Sequence, residues 1–442
     1  FNSNQNMASL ETCWVSRANA LQRKGRAGRV RSGVCIHLFT SHRFTYHLLP
    51  QPIPEIQRIP LEPLLLRILI INQEKIVDLY KIVKKIIEPP EDQSIADAIT
   101  RLQDVGAVDS EINLTPLGHH LASLPVDVRI GKLILLGSVF CCLDSALTIA
   151  ACLSHKSPFS SPFDERNQVD AKKKQFITAY SDQLTILRAY KKWLEISARG
   201  YAAGMAFARE NYLSVRTLQT LADIKHQFLE LLISIGFVPI DVGRRSVGVD
   251  KIMDFTGPEL NANNDNNKLL QGLLCAALYP NVVRICTPEK SFQVQATGAI
   301  ARQPKPEELR FETKSDVVFI HPSSVNFSVG HFPSPYLVFQ EKIKTGKVYI
   351  RDISMVSMLP LVLFSGYGIN IEQHDGTFIL SLADGWILFK VENHTIAQLL
   401  QHMRNELVKL LEQKMQDPLL NLINHQNGKK IIKTIINLLT KD

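Results

Sequence analysis

The chain has 442 residues, 45% of them hydrophobic and 21% charged. It is too long for a single core and too apolar for a disordered chain, so about two to four domains are expected. Fifty Lys+Arg against 42 Asp+Glu give +8 and favour a polyanionic partner, while seven cysteines without C-x-x-C spacing and thirteen histidines without H-E-x-x-H exclude a disulfide framework and a metal ladder. Reduced thiols place the protein in the cytoplasm or nucleus. The opening "FNSNQNMASLET" has no initiating Met and no signal pattern, and reads as the downstream part of a longer polypeptide.

In chain order, residues 16–30 read as a helix with Ser16 as N-cap, and "GVCIHLF" (33–39) as a short buried strand. Helix and strand together suggest the end of an α/β domain. Prolines at 50, 52, 54, 60 and 63 mark its exit. Short helical patterns from 61, closed by "LTPLG", suit a winged helix. Residues 116–237 are strongly helical, with Leu221, Ile224, Phe228, Leu231 and Ile235 forming one apolar stripe.

The stretch "KLILLGSVFCCLDSALTIAACL" (132–153) is apolar enough to raise a membrane span. Asp144 at its centre argues for two buried helices instead, with Asp144-Ser145 as the cap between them. The polar "NANNDNN" (261–267) reads as flexible linker. Beyond it the period changes to two, and short strands separated by Gly, Pro and Asp384-Gly385 turns favour an OB-fold barrel. An amphipathic helix carrying Ile396, Leu399, Leu400, Met403, Leu407 and Leu410 follows, then "KKIIKTIINLL".

The most unusual local feature is "ALQRKGRAGRVRSGV" (20–34). No acidic residue occurs between Glu11 and Glu55, while Arg23, Lys24, Arg26, Arg29 and Arg31 fall within nine positions. On a continuous helix Gln22, Arg26 and Arg29 share one face, a geometry suited to a multiply charged oxyanion because guanidinium forks match phosphate oxygens. Gly25 and Gly28 weaken the helix but leave room for another surface. A localisation signal or general nucleic-acid patch is the blander reading of the same charge.

"QRKGRAGR" (22–29) resembles motif VI of the DEAH-box/RHA group of superfamily 2 RNA helicases. "PEIQRIPLEPLLLRI" (54–68) resembles the group's entry into its winged helix. "LTPLGHHLASLPVDVRIGKLILLG" (114–137), "KSPF" (156–159), "SDQLTILRAY" (181–190) and "NYLSVRTL" (211–218) resemble its helical ratchet. "LLCAALYPNVVRI" (273–285), "HPSSVN" (321–326) and "YIRDISMV" (349–356) resemble its OB-fold. The wording is most like the large members that carry UBA, zinc-finger and RWD modules upstream.

The resemblance implies a multidomain α+β chain: the end of the second RecA-like lobe (1–52), a winged helix (53–115), a helical ratchet (116–238), a linker (239–268), an OB-fold (269–394) and a C-terminal helical extension (395–442). It also implies ATP-driven 3′-to-5′ movement on single-stranded RNA, or on a duplex with a 3′ overhang, with unwinding or remodelling. Arg26 and Arg29 would reach the γ-phosphate, with Gln22 positioning it and Gly25 beside it. The phosphate loop G-x-x-x-x-G-K-[ST] and D-E-x-H do not occur in these 442 residues, and "DERN" (164–167) has Asn where His is needed. ATP and Mg²⁺ would therefore be held mainly by upstream RecA-like lobes of the same polypeptide, and the chain alone would be inactive.

For RNA, His321, Ser323 and Ser324 read either as phosphate or ribose contacts or as a capped turn. Ser181 and Asp182 most simply cap a helix, with a family position near the RNA channel. Asn211 and Arg216 flank a helix start, and Arg351 reads equally as an ion pair or an RNA contact. Trp386 reads as barrel packing. A non-catalytic RNA-binding scaffold, a degenerate helicase and a dock for protein activators are the competing readings.

Overall fold

The computed structural model describes residues 7–9, 12–72, 79–160, 165–239, 248–288, 292–295, 298–301, 304–366, 368–374, 377–383, 385–422 and 425–441. Ser16 caps α1 (Arg17–Arg26), its hydroxyl accepting the Asn19 N–H at 3.2 Å. The helix ends at Arg26 rather than 30. Gly25 and Gly28 flank that end, each lowering helical stability by about 1 kcal/mol. The chain then turns so tightly that a side chain at Gly33 would strike the Ala27 carbonyl oxygen.

Residues 33–39 do not form the expected strand. Val34, Ile36 and Leu38 are 87%, 79% and 95% exposed, and no neighbouring strand among the described residues pairs with their backbone. An isolated extended segment has no ladder to satisfy its N–H and C=O groups. A short α2 (Ser41–Tyr46), capped by Thr40, follows.

Helices α3 (Glu62–Ile71), α4 (Leu79–Val83) and α5 (Asp92–Val105) form the small module expected before the bundle, and α6 (Pro116–Ser123), expected in the bundle, packs on α3 instead. α5 stops at Gly106, whose φ of +83° is a left-handed cap, and Val108 and Leu114 then bridge antiparallel.

The apolar stretch at 132–153 is indeed two helices, α7 (Val128–Val139) and α8 (Leu143–Ser154). Asp144 lies in the first turn of α8 rather than at its cap, which is Cys142. No helix among the described residues is long and apolar enough to cross a membrane. The bundle continues with α9 (Arg166–Lys174), α10 (Asp182–Ser197), α11 (Tyr201–Glu210) and α12 (Val215–Ser234).

The polar run at 261–267 is not a flexible linker. After α13 (Ile252–Thr256), Asn261 and Asn264 are buried. Their side-chain oxygens accept the Asp144 and Ser145 N–H groups at 2.9 and 3.2 Å, and Asn263 donates to the Phe140 carbonyl at 2.9 Å. Asparagine carries both a donor and an acceptor, so a run of it satisfies the facing ends of α7 and α8. The rest of the expected linker, 240–247, lies outside the described residues.

α14 (Asn267–Leu278) is buried from Leu269 to Leu278 and packs both on α7 and on the barrel strands that follow. The barrel comprises β2 (Val282–Cys286), β5 (Arg310–Glu312), β6 (Val317–Ile320), β7 (Tyr336–Lys344) and β8 (Val348–Val356), in order β7-β2-β5-β6-β8 and closed by β8 on β7. β6 and β8 are parallel, and β1 (Ala8–Ser9) adds to β7. The hairpin β3 (Phe292–Gln295) and β4 (Gly298–Ala301) stands apart as its own sheet. Val283, Val318, Leu337, Ile350 and Ile353 fill the barrel core.

After α15 (Met358–Phe364) a second sheet follows: β9 (Asn370–His374), β10 (Thr377–Leu382) and β11 (Ile387–Val391). These strands do not join the barrel, so the barrel ends well before 394. The β10–β11 hairpin is as expected, though Asp384 lies outside the described residues. Trp386 sits at this turn rather than in the barrel.

α16 (His394–Gln416) and α17 (Gln426–Lys441) close the chain. Leu407 and Leu410 of α16 are buried, but Leu399 is 56% exposed, so the apolar stripe is covered only in part. Buried Arg404 reaches back to the end of α15, donating to the Val362 carbonyl at 2.8 Å and the Ser365 hydroxyl at 2.9 Å.

Candidate nucleic-acid interface

Two regions hold all the expected site residues but Asn211 and Arg216. In the first, Gln22 and Arg26 lie one turn apart on α1, while Arg29 projects from the turn beyond it. All three are exposed, as is Gly25. The single helical face expected for the trio is therefore broken between Arg26 and Arg29. α1 is anchored at its start by Arg17 and Ala18 N–H bonds to the Leu49 and Pro50 carbonyls. Among the described residues no group of three or more His, Cys, Asp or Glu side chains could hold a metal ion.

The second region is the seam between helical bundle and barrel. Ser181 caps α10, its Oγ accepting the Leu184 N–H at 3.1 Å, and contacts Ser354 of β8 at 2.5 Å. Asp182 is buried and accepts three hydrogen bonds from the barrel: Ser324 Oγ at 2.7 Å, the Val325 N–H at 2.8 Å and the Ile353 N–H at 3.0 Å. Gln183 donates to the Asp352 carbonyl at 2.6 Å. Ser181, Asp182 and Ser324 thus join two domains, and their polar groups are used up within the protein rather than turned toward RNA.

Asn211 is likewise buried, donating to the Phe207 carbonyl at 2.8 Å and accepting from Gln175. Arg216 is exposed on the first turn of α12. His321 and Ser323 remain at the surface, where His321 Nδ1 and Ser323 Oγ are 2.8 Å apart. Of the expected RNA residues, Ser323 and Arg351 of the barrel and Asp182 of the bundle line one space.

That space is a cleft of about 1150 Å³ between bundle and barrel. Arg129, Lys156 and Lys173 from the bundle and Lys342 and Arg351 from the barrel line it, together with Asp170, Asp182, Glu341 and Asp352. These five Lys and Arg side chains outnumber the four acids by one. Asp182 is sealed by its three donors, and burial, then the neighbouring Asp182 carboxylate, push the Asp352 carboxyl up to about 6. Lys173 ties the two walls by donating to the Ser323 carbonyl at 2.8 Å, and Arg129 does so through the Gln340 carbonyl at 3.0 Å. The sequence reading missed Arg129, Lys156 and Lys173, although "KKK" at 172–174 was a visible basic run.

A bundle and a closed five-stranded barrel meeting at a cleft lined by charged side chains find their match in known families. Residues 98–126 and 127–188 match the winged-helix and ratchet-like parts of the helicase-associated domain (HA2). Residues 270–368 match an OB-fold family, and 379–441 a C-terminal domain in RNA helicases. The whole chain aligns at 51% identity over 446 residues with human DHX57, an RNA helicase by name.

Along its whole length the chain is similar to the C-terminal region of DEAH-box RNA helicases.

Bovine DHX36, named as an ATP-dependent DNA/RNA helicase, is 37% identical over 95% of the chain, and Arabidopsis thaliana DExH1 is 36% identical over 98%. The chain spans 32% of the length of DHX57, 38% of DHX36 and 39% of DExH1. The family's OB-fold match ends at 368, in keeping with the separation of β9–β11 from the barrel.

Proposed function

We propose that this chain forms the RNA-handling C-terminal portion of an ATP-dependent RNA helicase, and that the bundle–barrel cleft holds single-stranded RNA as the enzyme moves 3′ to 5′. The observation that carries this reading is the cleft itself: cationic side chains from two domains, tied across the seam, in a chain similar to DEAH-box RNA helicases. Phosphate contacts by Arg129, Lys156, Lys173 and Arg351 would bind backbone rather than sequence. Ser323 and His321 offer further ribose or phosphate contacts at the cleft's edge, and Arg216 a peripheral one.

Residues 1–52 serve as the end of the second RecA-like lobe. Gln22, Arg26 and Arg29 are a donor set that fits a polyphosphate, with exposed heads and no acidic residue between Glu11 and Glu55 to neutralise them. Upstream lobes of the same polypeptide would hold most of ATP and its Mg²⁺, and the bound nucleotide supplies the phosphoryl-transfer chemistry. The two arginines would stabilise charge on the leaving phosphoryl group, an effect of about 10³–10⁵ in rate for such residues.

Two measurements test this. Photo-crosslinking single-stranded RNA to the chain should label peptides around 156, 173 and 351; labels confined to other surfaces would refute the cleft. In the complete protein, Arg26→Ala with Arg29→Ala should abolish RNA-stimulated ATP hydrolysis while RNA binding survives. ATPase activity that persisted would refute the arginine roles, and RNA binding without any ATPase in the parent would favour a non-catalytic scaffold.

A further inference from the structure

Beside the cleft, the outer face of the barrel carries a group of rings that no hydrophobic core requires. Along β6 exposure alternates: Val318 and Ile320 point into the barrel, while Val317 and Phe319 point out, each 41% exposed. β6 runs parallel to β8 with Phe319 opposite Tyr349. Their ring centroids are 6.3 Å apart, and His321 meets Tyr349 edge-on at 5.7 Å. Lys347, at the β7–β8 turn, holds its ammonium 4.4 Å from the Phe319 ring centroid. Two residues beyond Tyr349 on the same face of β8 is Arg351, which lines the cleft, and two beyond His321 is Ser323, which lines it too.

We infer that Phe319, Tyr349 and His321 form a stacking platform that takes the bases of a single-stranded nucleic acid as it leaves the cleft. This rests on the proposal that the cleft holds RNA, and extends that path along the outside of the barrel. Three physical points support it. Phe319 is 41% exposed and Tyr349 and His321 are partly exposed, so aromatic surface meets water here, and every base can stack on such rings regardless of sequence. A cation lies on the platform itself: Lys347 rests on the Phe319 ring, and its flexible stem lets it exchange that contact for a phosphate when a base arrives. Finally, Arg351 and Ser323 belong to both cleft and platform, so a strand passing them needs no gap. A purely apolar partner surface would gain nothing from the two cations.

The test is equilibrium binding of the chain to short and long uridine-rich single-stranded RNAs. Phe319→Ala with Tyr349→Ala should weaken the long RNA by about tenfold or more, the loss of roughly one stacked base. Short RNA that fills only the cleft should bind as in the parent. Phe319→Leu with Tyr349→Leu keeps apolar volume without a π-face and should reproduce the same length-dependent loss, which separates stacking from damage to the barrel. Equal affinity of parent and both variants at every length would overturn the platform, including the case in which a protein partner covers these rings. Lys173→Glu, by contrast, should weaken both lengths. If it changed neither, the cleft would fail, while a length-dependent loss in the ring variants would still uphold the platform.

Discussion

The Asp182 carboxylate accepts the Ser324 hydroxyl at 2.7 Å although the two residues are 142 positions apart in sequence. With the Val325 and Ile353 N–H groups as its other donors, Asp182 fastens the N-terminus of α10 to two barrel segments. Asp182→Ala leaves those buried donors unpaired. It should destabilise the chain by about 3 kcal/mol, read by urea denaturation. A surface residue whose only role was touching RNA would show no such change in stability.

The bundle contains a second buried charge cluster. Lys225 is fully buried and pairs with Asp144 at 2.8 Å and with Asp250, which also accepts the Tyr190 hydroxyl at 2.9 Å. Burial alone would lower the lysine's pKa, but the two carboxylates hold it above its ordinary value. Lys225→Met should therefore cost about 3–5 kcal/mol, because it strands two buried carboxylates. Adding Asp144→Asn and Asp250→Asn to that variant should recover part of the loss in the same denaturation experiment.

Asp352 gives the fold a pH dependence of known sign. Its carboxyl titrates near 6 in the folded chain against an ordinary 3.8, so the folded state holds the proton more tightly than the unfolded one. The contribution to stability is fully present below 3.8 and is lost as pH rises through about 6. Asp352→Asn, which stays neutral and tolerates the local φ of +51°, should be more stable than the parent above that range, by about 1–2 kcal/mol after solvent screening. The gain should vanish as pH falls toward 4, and a gain independent of pH would contradict this assignment.

Much of the chain's organisation was legible because local signals carry it. Ser16 and Ser181 announced their helices, the change of period after 268 announced strands, and Asp144 divided an apolar stretch into two helices. What sequence could not reveal depends on distant partners. Asp182 looks like an ordinary cap residue until Ser324 and Ile353 arrive, and Asn261–Asn264 look like a linker until the ends of α7 and α8 consume their donors and acceptors. Residues 33–39 have the composition of a strand but no neighbour to pair with among the described residues. For the site, Ser323 and Arg351 were visible from sequence and do line the cleft, whereas Lys173 and Arg129 gain their place only when bundle and barrel meet.

The central claim, that single-stranded RNA lies in the bundle–barrel cleft, is tested most directly by measuring RNA affinity across a salt series for the parent chain and for Lys173→Glu with Arg351→Glu. The account predicts steep weakening with salt in the parent, and in the variant both a lower affinity and a slope of log K against log salt reduced by roughly one per lost phosphate contact. Identical affinity and slope in parent and variant would contradict it.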